Sequence, residues 1–361
     1  MNVDLQTTSG FLDGNKLYFW GFNASALFEF SLETGETRVL SAFERVSFSE
    51  PGMQGGVLKI NNDIIITPLL SQYILKYSII SHKHETFSIP LELRSQGYKT
   101  NTFYTGEKLC IFPVNSNDKV LEYDYITDEI NENAELSALL NRFPDEEYSV
   151  SVSGKSLFLL YHNSKKLIEL GVDKYEIKRE KSIPLKEKIM GLEIIDSRLW
   201  ILLKESFSLY EIGDELIEYK STENKWVSNV KTNPYSKIVK YKNELIVLNY
   251  YAQDISIIDT NNRKITKMIS CLEEGNLINT KSFGGCYRLA IVYDEKLWIF
   301  PNMCKYGIKY DGVRCERFMF GEILDEFDVS SDLILGEIKE KEMVFEGRYS
   351  LQEYVNCIVK E

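Results

Sequence analysis

Three stretches of the chain hold residue types that could do chemistry. Ser149-Val-Ser-Val-Ser-Gly154-Lys155-Ser156 matches the end of a phosphate-cradling loop, but Ser149 stands where that motif has its leading glycine. Its alternation predicts strand, turn and strand, whereas a phosphate cradle needs a loop entering a helix. His82-Lys83-His84 sets two imidazoles at i and i+2, a spacing that puts both on one strand face and could chelate a metal. No third ligand is identifiable and the pair falls at a predicted hairpin turn, so a solvated turn is expected and no metal. With His162 the chain has 3 histidines in all, which leaves few candidates for histidine acid–base catalysis. Asn23-Ala24-Ser25 matches a glycosylation acceptor, without consequence in a cytosolic protein. No cofactor is expected.

Positioning falls to a pair of apolar strands that recurs along the whole chain. Its first member opens at Leu17, Ile64, Leu109, Leu157, Leu199, Leu245 and Leu297, a mean interval near 47 residues. Its second member ends at Phe30, Tyr77, Tyr123, Leu170, Ile212, Ile258 and Tyr310. The distance between the two is 13 residues in six cases and 14 in the third, while the repeat itself varies from 42 to 52. A fixed spacing of that size fits two strands of about five residues and a short connection, an antiparallel hairpin. Turn formers stand ahead of each first anchor: Asp13-Gly14-Asn15, Asn61-Asn62-Asp63, Gly106-Glu107, Ser153-Gly154, Asp196-Ser197, Lys242-Asn243 and Asp294-Glu295. A further strand precedes each turn, as at Val57–Ile60 and Leu289–Val292, and a fourth follows, as at Thr37–Leu40. Four short strands per 40 to 50 residues is the pattern of a propeller blade. The Val, Ile, Tyr and Phe runs are too short, and too regularly broken by turns, for helices.

The chain therefore reads as all-β: a β-propeller of about seven four-stranded antiparallel blades. It forms a single domain over 1–361, with repeats near 9–43, 54–91, 99–136, 147–185, 187–225, 234–272 and 281–320. The turns Ser31-Leu-Glu-Thr-Gly35 and Asp259-Thr-Asn-Asn262 resemble the D-x-x-T-G turn of bacterial seven-bladed propellers of the broad kelch/galactose-oxidase and YVTN-like type. The resemblance is architectural; it implies the fold and carries over no site residue and no activity. A hairpin and a short C-terminal helix are expected over 333–359, the helix from the capping box Ser350-Leu-Gln-Glu353 and the stripe Leu351, Tyr354, Val355, Ile358. Leu136, Leu139, Leu140 and Phe143 predict a second short amphipathic helix. Tyr18, Trp200 and Trp298, fixed in position beside the anchors, are expected in the core, and Pro68, Pro113 and Pro301 at strand ends.

Composition narrows the partners. The chain has 42 basic and 54 acidic residues, a net charge of −12, and no dense Lys/Arg run, so its field repels phosphate and nucleic acid is excluded as a partner. No apolar run approaches the ~18 residues that span a bilayer, so no membrane insertion is expected. Cys110, Cys271, Cys286, Cys304, Cys315 and Cys357 sit singly, and the N-terminus lacks a secretory pattern; together these point to a cytoplasmic chain.

In a propeller, loops between second and third strands and between blades converge on one face. That face is expected to carry Asn115, His162, Tyr250, Tyr251 and Asn302 from the inner loops, and Arg45, Tyr98, Trp226 and Arg288 from the longer ones. Exposed aromatics and arginines anchor peptides, sugars and protein surfaces. A binding or scaffold module for a protein, peptide or glycan is the favoured reading. The alternative is a lyase, epimerase or hydrolase acting on a carbohydrate or small metabolite through carboxylates, Tyr and Arg at the channel mouth.

Overall fold

The computed structural model describes residues 7, 9–21, 26–42, 54–106, 108–222, 235–249, 255–267, 287–302, 306–320 and 323–324. They fold as successive four-stranded antiparallel meanders in a propeller arrangement. The first comprises β1 (Gly10–Asp13), β2 (Lys16–Gly21), β3 (Ala26–Ser31) and β4 (Thr37–Ala42); the second β5 (Gln54–Ile60), β6 (Asp63–Pro68), β7 (Tyr73–Ser78) and β8 (His84–Ser88). Then come β9 (Phe103–Tyr104), β10 (Lys108–Ile111), β11 (Leu121–Asp124) and β12 (Glu129–Glu132), followed by helix α1 (Ala134–Leu140). The next meander is β13 (Tyr148–Ser153), β14 (Ser156–Tyr161), β15 (Lys166–Gly171) and β16 (Ile177–Ser182). It precedes β17 (Ile189–Ile195), β18 (Arg198–Leu203), β19 (Ser208–Ile212) and β20 (Leu216–Ser221). β21 (Tyr235–Tyr241), β22 (Glu244–Asn249), β23 (Ile255–Asp259) and β24 (Lys264–Lys267) follow, then β25 (Tyr287–Tyr293), β26 (Lys296–Pro301), β27 (Tyr306–Tyr310) and β28 (Cys315–Met319). β29 (Ile323–Leu324) completes the described strands.

The constant spacing in the sequence has a direct structural cause. Each pair of anchors lies face to face across the second and third strands of its meander: Leu17 with Phe30, Ile64 with Tyr77, Leu109 with Tyr123 and Leu157 with Leu170. Leu199 with Ile212, Leu245 with Ile258 and Leu297 with Tyr310 repeat the match. Because a slip of one residue would turn every side chain to the opposite face, register between these strands is held while loop lengths elsewhere drift. The turns ahead of the anchors also behave as their sequences require. Gly14, Asn61, Gly106, Gly154, Asp196, Ser197, Lys242, Asp294 and Glu295 all take positive φ, and the two consecutive pairs among them match the tight hairpin geometry that suits strand twist.

Sheets and meanders do not correspond one to one. Six sheets occur among the described residues, because β20 and β24 pair in parallel and merge two meanders into one eight-stranded sheet. β29 likewise adds in parallel to β4. These two outer edges are thereby covered. The outer strands β8, β12, β16 and β28 carry His-Glu-Thr-Phe-Ser, Glu-Ile-Asn-Glu, Ile-Lys-Arg-Glu-Lys-Ser and Cys-Glu-Arg-Phe-Met, whose charges discourage edge-to-edge pairing.

Contacts divide the strands into two units, β1–β8 with β25–β29, and β9–β24 with α1. In the first, Phe19, Phe28 and Phe30 pack on Trp298, Phe300, Phe318 and Phe320, so the N-terminal meander sits beside that of β25–β28. The opposite face of the same meander buries Tyr18, Trp20 and Leu27 on Val57, Ile64, Ile66 and Leu75. In the second unit, Leu160 and Leu167 meet Leu192, Ile201 and Leu203, while Trp200 and Leu202 meet Ile238, Val247 and Ile258. Sheets buried on both faces explain the continuous apolar runs. Tyr18, Trp200 and Trp298 are core residues, as their fixed place in the repeat indicates.

The interrupting helix is present, two residues earlier than its apolar stripe. Asn133 caps α1 by accepting a hydrogen bond from the Leu136 amide at 3.0 Å, and Leu136 and Leu140 are buried on the core of the second unit. Ser137 is buried too, and its hydroxyl accepts from the Val120 amide at 3.0 Å. Phe143 follows the helix in a turn. The hairpin and helix expected over 333–359 lie outside the described residues. No helix among those described is long and apolar enough to cross a membrane.

Candidate functional site

The second unit collects ionisable side chains at one end of its first and second strands. In three repeats an amide beyond the second strand donates to a carbonyl ahead of the first: Val114 to Gly97, His162 to Glu147 and Lys204 to Lys188, at 2.8 to 2.9 Å. These are equivalent places in successive repeats, five residues beyond the anchors Leu109, Leu157 and Leu199. Two residues along the first-strand segment lie Lys99 and Ser149, with Gly191 in the neighbouring β17. A Cβ added to Gly191 would meet Leu202 Cδ1 at 3.5 Å and Ser149 Oγ at 4.0 Å, which places this glycine alongside the serine.

His162 is the centre of the group. Its ring is 8% exposed, with Nε2 2.8 Å from Ser149 Oγ and Nδ1 3.6 Å from Glu147 Oε2. That second distance exceeds a hydrogen bond, and Nδ1 has no hydrogen-bond partner although it is buried. Burial and then the charge of Lys99 depress its pKa to about 4, with Glu147 opposing, so the imidazole is neutral at pH 7. Lys99 stacks its ammonium 4.4 Å over the Tyr148 ring. Burial lowers the Lys99 pKa to about 8, again with Glu147 opposing. Lys204 adds a third positive group whose field reaches His162. Along β17, burial raises the Glu193 carboxyl above its ordinary value and Lys237 partly offsets this.

The tyrosines beneath this cluster are structural. Tyr148 is buried and donates its hydroxyl to the Pro113 carbonyl, and Tyr161 donates to Leu139 O at 3.1 Å. Glu146 closes the turn after β14 by accepting from the amides of Asn163 and Ser164 at 3.0 to 3.2 Å.

The residues expected on the loop-bearing face divide. Of those in the second unit, His162 lies in the cluster. Tyr98 does not act as an exposed anchor: it is fully buried, its hydroxyl accepting from the Ser95 amide at 3.0 Å, because its bridge to Pro113 turns the ring inward. Asn115 is exposed and its side chain accepts from the Asn117 amide at 3.0 Å, a local turn bond. Arg288, half-buried, and Asn302, buried at 1% exposure, belong to the first unit. Arg45, Trp226, Tyr250 and Tyr251 lie outside the described residues. Lys99, Glu147 and Lys204 were not singled out as candidates from the sequence, and Ser149 only within the phosphate-loop-like stretch, although Lys204 shares the repeat position of His162, Tyr250 and Asn302.

The metal reading of His82 and His84 has different geometry from a chelate. His82 Nδ1 lies 2.9 Å from the Tyr77 hydroxyl and His84 Nδ1 2.7 Å from Ser41 Oγ. Among the described residues no group of three His, Cys, Asp or Glu side chains could hold a metal. The Ser149–Ser156 stretch is β13, a turn at Gly154 and the start of β14, with no helix to receive a phosphate.

No protein-family model matches the chain, and no curated protein matches it. Its fold is similar to that of solved propellers. A streptogramin B lyase superimposes with a TM-score of 0.60 at 14% identity, covering 88% of this chain and 96% of the lyase. A catalytically inactive virginiamycin B lyase from Staphylococcus aureus with quinupristin gives 0.53 at 13%, over 77% and 85% of the two chains. The β-propeller domain of Cps50 (Swd1) from Myceliophteria thermophila gives 0.53 at 11%, over 82% and 94%. At such identities the likeness is one of fold: this chain is a β-propeller.

Proposed function

We propose that the protein is a binding or scaffold propeller that recognises a protein, peptide or glycan through its loop-bearing face, with the Lys99–His162–Lys204 cluster at its heart. The observation that carries this is the gathering of polar and charged groups from three successive repeats at one end of the strands. Groups distant in sequence can there surround one ligand. Reading the eight-stranded sheet as two blades gives a seven-bladed, single-domain propeller, and cysteines spaced singly along the sequence suit a cytoplasmic one. The net charge of −12 argues against nucleic acid as the partner.

In the sequence Tyr250 holds the repeat position of His162 and Lys204, and Trp226 and Tyr251 are carried with it as candidate contacts of this cluster; Arg45, Arg288 and Asn302 remain candidates of the first unit's own loops. Peptide and glycan arrays probed with the full chain provide ligands. Replacing Trp226 or Tyr250 with Ala weakens binding to them by about 2 kcal/mol if either is an anchor. Binding unchanged in both of these and in Lys204→Ala overturns the reading.

A second reading rests on one observation. Ser149 Oγ, His162 and Glu147 stand in series, the order in which a serine nucleophile, its base and an orienting carboxylate are arranged. In a hydrolase built on it, Ser149 Oγ would react with a fluorophosphonate and His162→Gln would abolish the labelling. An unlabelled Ser149 in a protein that binds an array ligand leaves the binding reading.

A further inference from the structure

Lys99, half-buried, and His162, buried, are two polar groups short of the partners that such placement demands. The Lys99 ammonium makes no ion pair or hydrogen bond to the described residues and rests on an aromatic face. His162 Nδ1 is buried and also lacks a partner, and the one carboxylate near it, Glu147, is 68% exposed and stops at 3.6 Å. A partly desolvated charge opposed only by the exposed Glu147 carboxylate costs stability, and here the cost is paired with an unused N–H donor nearby. Gly191 lies alongside the serine that holds the ring: a Cβ there would stand 4.0 Å from Ser149 Oγ.

We propose, resting on the binding reading above, that Lys99, His162 and Lys204 hold the carboxylate of an acidic ligand. Lys99 supplies the charge, the neutral His162 ring donates from Nδ1 once its hydrogen faces the ligand, and Lys204 closes the positive side. Ser149 Oγ donates to Nε2 in that tautomer and so fixes the ring. Glu147 selects against multiply charged anions: a phosphate dianion meets its negative charge, whereas a single carboxylate replaces it opposite Nδ1. The depressed Lys99 pKa of about 8 leaves most of the ammonium charged at neutral pH, and a bound anion raises it.

Isothermal titration of the full chain with glucuronate, acetate and the methyl ester of glucuronate tests this. Glucuronate binds, acetate competes with it and the neutral ester does not. Tighter binding of glucuronate identifies a sugar acid as the source; equal binding of the two acids shows that the carboxylate alone is read. Lys99→Met weakens binding about tenfold or more, and Lys99→Arg restores most of it, since a charged hydrogen bond is lost and regained. Glu147→Gln tightens binding about threefold by removing the competing charge. That sign is opposite to what loss of folding would give. No binding of either acid, equal binding of the ester, unchanged binding by Lys99→Met, or weaker binding by Glu147→Gln each overturns the carboxylate site. The first of these with array ligands still bound leaves the binding reading standing.

Discussion

His162 and Lys99 make the candidate site measurable through stability. In the unfolded chain an imidazole takes up its proton near pH 6.5, whereas folding holds His162 back to about 4. Between these values the unfolded state binds more protons, so stability contributed by the neutral ring is whole above about 6.5 and lost as pH falls through 4. The loss is on the order of 2 kcal/mol, and urea midpoints at pH 7 and 4.5 should fall further apart in the native protein than in His162→Gln. Lys99 obeys the same sign in a higher window. Its folded pKa of about 8 lies below the ordinary 10.5, so the penalty of its burial is present at neutral pH and relieved as pH rises toward 10.5. Lys99→Met is expected to stabilise the fold by about 1 kcal/mol at pH 7 while losing anion binding, since an apolar chain of similar length needs no counter-ion. A destabilised Lys99→Met in thermal denaturation would mean that the ammonium is satisfied in the fold. The sequence offered His162 by its rarity, yet gave no sign of Lys99, because one lysine among 42 basic residues carries no mark of its burial.

Strand elements were legible because register leaves a trace in spacing. The anchors are cross-strand partners, so their separation was visible without any knowledge of the fold, and the positive-φ residues coincide with the turn formers read from composition. Helix α1 was legible from its apolar stripe but not its start, since the cap is an asparagine outside that stripe. Asn133→Ala is expected to cost about 1 kcal/mol in urea denaturation. Its amide also donates to Tyr175 Oη at 3.1 Å, so the effect should exceed that of an exposed cap. What the strands could not announce is how tightly their faces meet. A Cβ at Gly307 in β27 would come within 2.2 Å of the Phe318 ring, which Trp298, Phe300 and Phe30 already enclose. Gly307→Ala should therefore destabilise by about 2 kcal/mol, with Phe318→Leu in the same chain restoring part of it. A neutral Gly307→Ala would show that the aromatic cluster yields.

At the scale of the chain, the outer edges are where sequence and structure part. The repeat count does not foretell that β20 joins β24, or that β29 lies along β4, because parallel pairs of two residues leave no periodic trace. They matter for solubility. A chain ending at Phe320 uncovers β4, whose Thr-Arg-Val-Leu-Ser-Ala carries a single charge, and sedimentation velocity should detect its association. The central claim, that the ligand meets the ends of the strands bearing His162 and not the turns bearing His82, can be read in one spectrum. With 3 histidines in the chain, imidazole nitrogen NMR resolves each ring. Addition of a ligand found on the arrays should shift the His162 resonances and leave those of His82 and His84 in place; movement of His82 and His84 with His162 unchanged would contradict the account.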